Sequence, residues 1–152
     1  MLTTAKPLAT IAILLLAGTC CGAEKTSFLR DIAPILLRRC AGCHGPKRAE
    51  GNYRVHTFQY LLRAGDSGDA AVVKGKPKES ELLRRIISKD ADERMPQKDD
   101  PISASEIKKI RLWIASGAKF DGASQTASLN SQITRRSKMG PTFSPHIFRT
   151  LE

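Results

Sequence analysis

An all-α domain is the fold class that the 152 residues predict, and three observations carry that prediction. Apolar residues recur at helical spacing in several separate stretches. No stretch alternates apolar and polar residues over the length of a strand, and the helical patterns are separated by loops punctuated by Gly51, Gly65, Gly68 and Gly75. The size suits one domain with terminal extensions and excludes a large enzyme. Hydrophobic residues (41%) and charged residues (26%) are those of a folded protein, but aromatics are only 5%, so something other than aromatic side chains is expected to fill the core. The formal charge of +10 suggests acidic partners.

The first segment reads as an export signal. Lys6 precedes the apolar run Leu8 to Ala17, and small residues follow from Gly18 to Ala23. The run is much shorter than the roughly 20 apolar residues that span a bilayer, so no stable membrane span is expected after cleavage. Cleavage is placed after Ala23, giving a signal peptide over 1–23, because Cys21 and Ala23 are small residues at the two positions that signal peptidase tests. The rival reading makes Cys20 or Cys21 a lipidated N-terminus, but the residues before each fit that signal poorly. Cleavage after Ala23 leaves two cysteines, Cys40 and Cys43.

Asp31 is positioned to cap the next helix, with Pro34 tolerated in its first turn and Ile32, Ile35 and Leu36 on one apolar face. That helix leads into Cys40-Ala41-Gly42-Cys43-His44, the C-x-x-C-H attachment signature of a c-type haem. One helical turn holds the two sulfurs at the separation of the porphyrin vinyl groups, and the following imidazole faces the iron. Gly42 keeps the turn free of a side chain that would crowd the ring. A zinc site wants four ligands and no second cysteine pair exists, while a thioredoxin-like site needs βαβ patterning that is missing.

Two short helices are predicted in the middle. Phe58, Leu61 and Leu62 form one that stops at Gly65, and Leu82, Leu83, Ile86 and Ile87 form another after Pro77 and Ser80. The loop Gly65 to Asp69 lacks the closing glutamate of a calcium-binding loop and reads as a turn. Met95 follows in Arg94-Met95-Pro96. Its thioether suits the sixth position of a haem iron, and Pro96 stiffens the loop and removes a backbone donor beside the ring. His56 is the rival sixth ligand, more simply read as a surface residue at the start of the helix near Thr57.

A helix over 104–116 is announced by the capping box Ser103 to Glu106, the staple Ile102 with Ile107, the apolar positions Ile110 and Ile114, and the stop at Gly117. Trp113 is read as a packing residue. After Phe120 no apolar period is sustained, so the haem domain is bounded at 24–120. Residues 121–152, basic and rich in Ser and Thr, are read as a disordered tail containing Met139. No stacking aromatics are interleaved with its charges, and no nucleic-acid partner is expected.

Taken together, these stretches resemble the planctomycete-type cytochrome c domain, a class I-like module. The resemblance runs from Asp31-Ile32-Ala33-Pro34-Ile35-Leu36 through Cys40-Ala41-Gly42-Cys43-His44-Gly45-Pro46, Gly65-Asp66-Ser67-Gly68 and Gly75-Lys76-Pro77. It continues in Asp92-Glu93-Arg94-Met95-Pro96 and Trp113-Ile114-Ala115-Ser116-Gly117-Ala118, covering roughly 28–120. In such proteins many residues of other domains usually follow the module, whereas a polar tail follows here. The resemblance implies a small cytochrome c-like helical domain around covalent haem c, with His44 proximal and Met95 distal. The expected function is single-electron transfer, not enzymatic turnover, by an exported protein of the periplasm or cell surface that meets an acidic redox partner. The alternatives are a structural or sensory haem module, marked by five-coordinate iron, and a thiol oxidoreductase using Cys40 and Cys43. No oligomeric state is indicated by the sequence.

Overall fold

Ser27 opens the first helical segment in the computed structural model, which describes residues 25–139 apart from 98. The segment read as an export signal, with Cys20 and Cys21, and the end of the tail from 140 lie outside the described residues. The Ser27 hydroxyl accepts from Arg30 N at 3.1 Å, and Asp31 Oδ2 accepts from Ser27 N at 2.8 Å. The helix therefore starts before Asp31, which closes the cap from within instead of forming it. A wide turn, Phe28–Ile32, ends where Ala33 N reaches back five residues to Phe28 O. Pro34, which brings no N–H, sits in the first turn of α1 (Ala33–Arg39).

The described residues contain four further α-helices and no β-strand. Thr57 caps α2 (Phe58–Leu61) by accepting from Tyr60 N at 3.1 Å. α3 (Glu81–Ile87) follows Ser80, a buried residue whose hydroxyl turns back to accept from Val73 N at 2.9 Å and donate to Lys76 O at 3.0 Å. α4 (Ala104–Ala115) carries the capping box between Ser103 and Glu106 and buries Ile110, Trp113 and Ile114. Gly117, at φ 98°, reverses the chain beyond it, as a left-handed C-terminal stop requires. No described helix is long and apolar enough to cross a membrane.

The scarce aromatics are concentrated in one place. Phe28 packs against Phe58, Trp113 and Phe120 with ring centroids 4.9, 5.3 and 5.6 Å away, and Phe58 lies 4.5 Å from Phe120. Trp113 is fully buried and donates from Nε1 to Lys119 O at 2.9 Å, so it packs as expected. This half of the core is filled by the chain's own rings, contrary to the inference from low aromatic content.

The tail also differs from its expected disorder. α5 (Leu129–Met139) packs on α1, with Leu129 fully buried and its N donating to His56 O at 2.9 Å. Gln132 is buried too, its amide donating to Ser124 O at 2.9 Å and Ala127 O at 3.2 Å. Asp121 ties this segment to the first helix. Its carboxylate accepts from Leu29 N (2.9 Å), the Ser27 hydroxyl and Arg136 Nη1 (3.2 Å). The element escapes an apolar-period search because its burial is carried largely by backbone and amide hydrogen bonds.

Candidate functional site

The segment from Cys40 to His44 continues α1 as one more turn. Cys40 N donates to Leu36 O at 2.9 Å and His44 N to Cys40 O at 2.9 Å, which brings both cysteines and the histidine to the same end of the helix. Open space surrounds the position a Cβ would take on Gly42, whereas a Cβ on Gly45 would collide with Ala41 O. Only glycine lets the chain turn away directly after His44.

His44 is oriented from behind. Its Nδ1 lies 3.3 Å from Tyr53 O, its ring packs edge-on against Tyr53 at 5.5 Å, and its own carbonyl accepts from Val55 N at 2.8 Å. An Nδ1–H donated to that carbonyl leaves Nε2 as the free lone pair, the tautomer that a metal ligand needs. Tyr53 is held in turn by donating its hydroxyl to Leu61 O at 3.0 Å, and burial pushes its phenol pKa well above the ordinary range. Sequence reading did not single out Tyr53; its position nine residues after His44 carries no motif.

Two adjoining cavities, of about 210 and 310 Å³, meet at this turn. Cys40, His44, Glu50, Ile86 and Met95 line both, and Cys43 lines the larger. Val55, Ala71 and Leu82 give the smaller an apolar wall. Met95 is partly buried against the core, and its N donates to Arg85 O at 3.1 Å, which fixes the loop to the end of α3. The structure thus brings Cys40, Cys43, His44 and Met95 around connected space. His56 is not on its walls. It stacks on Tyr60 at 5.1 Å, and burial, followed by the Arg54 charge, lowers its pKa.

The donor set suits a haem better than the other chemistries of these residues. A largely apolar cavity lined by an oriented imidazole, a thioether and two cysteines matches a covalently attached porphyrin. Cys40 and Cys43 are free thiols, and burial pushes Cys40 up to about 11, the reverse of the depressed pKa of a reactive redox cysteine. Among the described residues no group of three or more His, Cys, Asp or Glu side chains could hold a metal ion without a porphyrin.

Fold and site together define a small all-α domain with a C-x-x-C-H turn opening onto an apolar cavity. Residues 40–99 match the family model of planctomycete cytochrome C. The family resemblance read from the sequence is shown over that stretch; the family suggests a c-type cytochrome and implies haem c. α1, α4 and α5 lie outside the matched residues. No curated protein and no solved structure matches the chain.

Proposed function

We propose that the chain is an exported monohaem c-type cytochrome that transfers single electrons. The observation that carries this reading is the convergence of Cys40, Cys43, His44 and Met95 on connected cavities, with the His44 tautomer set by Tyr53 O. In this reading Cys40 and Cys43 form the thioethers, His44 Nε2 is the proximal ligand and Met95 sulfur the distal one. Haem, when bound, supplies one iron that cycles between ferrous and ferric states. With haem bound, His44 and Met95 would hold the iron and leave no position open to a substrate, which argues for electron transfer rather than enzymatic turnover. Ile86, Leu82 and Val55 are buried residues of the cavity wall that would exclude water from a bound ring and so favour the less charged ferrous state.

The export pattern of residues 1–23 supports a place in the periplasm or at the cell surface, where haem is joined to such motifs. The excess of basic residues supports a weak, salt-sensitive encounter with an acidic redox protein, and no nucleic-acid role is proposed. Potentiometric titration tests the reading. A single one-electron wave is expected, with no carbon monoxide adduct in the reduced protein. Rapid carbon monoxide binding would instead indicate five-coordinate iron and a sensory module, and two titratable thiols in the purified protein would indicate a thiol oxidoreductase.

A further inference from the structure

The two cavities differ in their charged groups. Cys43 lines only the larger, together with Arg39 and Arg48, while Cys40 lines both, so the thioether edge of a porphyrin would lie toward the larger. In a porphyrin of this type the two propionates leave the ring at the edge away from the vinyl-bearing positions. They would therefore extend into the smaller cavity, which Glu50, Asp66, Asp69 and Glu81 line together with Arg85, its one Arg or Lys side chain among the described residues.

Arg85 is arranged to receive a carboxylate. Its Nε donates to Glu81 Oε1 at 2.7 Å, which orients the guanidinium plane, and its two Nη groups have no protein partner among the described residues. Glu81 does not spend itself on Arg85, because both its oxygens also accept from Arg84, at 2.6 and 2.8 Å. The guanidinium is partly shielded, at 31% exposure, so a pairing there is screened less than one in open solvent. Leu82 and Ile86, on the same face of α3, pack the ring while Arg85 reaches past them.

We propose that Arg85 is the anchor for a haem propionate, gripping the carboxylate through its Nη fork while Glu81 fixes its orientation. This rests on the haem reading above. The fork is planar and always charged, so it both seats the ring in the slot and places a cation beside the iron.

Resonance Raman spectroscopy of haem-loaded protein, read at the propionate-bending band, tests the contact together with the midpoint potential. Arg85→Gln is expected to shift that band and to lower the potential, because removal of a neighbouring cation favours the ferric state. Arg85→Lys keeps the charge without the fork. It is expected to shift the band while largely keeping the potential, and it serves if the glutamine variant loses haem. An unmoved band in haem-loaded Arg85→Lys, or in Arg85→Gln, overturns the assignment. So does a band that moves only in Arg39→Gln, since this puts the propionates at the cysteine edge. Wild-type protein without covalent haem overturns the underlying reading and this inference with it.

Discussion

Met95 and His56 compete for one role, and their surroundings separate them. Met95 faces the cavity that His44 also lines, whereas His56 stacks on Tyr60 outside it. Met95→Ala is expected to leave haem attached but abolish the weak long-wavelength sulfur-to-iron band of the oxidised protein and lower its potential. His56→Ala is expected to keep both, and absorption spectra of the two variants check this. The turn that carries Cys40, Cys43 and His44 was legible in the sequence because their spacing is that of one helical turn. Met95 was legible through its neighbour Pro96. Tyr53 and Arg85 were not, because a backbone carbonyl behind an imidazole and an unpaired guanidinium fork are products of folding, with no spacing of their own.

The helices show why some elements were predicted and others missed. α4 announces itself through a cap, a staple, an apolar period and a stop, and all appear. Its cap also reaches across the fold. Glu106 accepts from the Ser103 hydroxyl at 2.8 Å and from Arg38 Nη2 at 2.6 Å, tying α4 to the end of α1. The Ser103 hydroxyl, then Arg38, lowers the Glu106 pKa below its ordinary 4.5. A depressed folded pKa stabilises the fold above the unfolded value, and that contribution fades as pH falls through the lowered one. Glu106→Gln keeps the capping box but removes the charge facing Arg38, and should therefore lower stability near neutrality by roughly 0.2–1 kcal/mol, as for an exposed ion pair. It should also flatten the acid limb of the stability curve, as urea unfolding across pH will record. α5 was missed because, among its described side chains, only Leu129 and Ile133 are apolar anchors, and Gln132 is buried through its amide. Leu129→Ala should cost roughly 2–5 kcal/mol, as for a fully buried leucine. Thermal melts check this, and an unchanged midpoint would mean that α5 does not hold α1.

At the scale of the molecule the core has two halves with different dependence on a bound ring. Phe28, Phe58, Trp113, Phe120 and Leu129 close one half among themselves. Val55, Leu82, Ile86 and Met95 face the cavity in the other. A cofactor that fills the second half contributes its binding free energy to folding there. Hydrogen exchange on Cys40→Ser/Cys43→Ser apoprotein should therefore retain protection in α1 and α4 and lose it in α3 and the loop carrying Met95. Equal loss throughout would mean that the aromatic half does not stand without the ring. The central claim, that the Cys40 to His44 turn attaches one haem, is tested most directly by the pyridine haemochrome spectrum of protein exported from its host and extracted with acidified acetone. One haem per chain should stay with the protein and show the band of a porphyrin with both vinyls saturated. Haem that passes into the solvent, or protein that carries none, would contradict it.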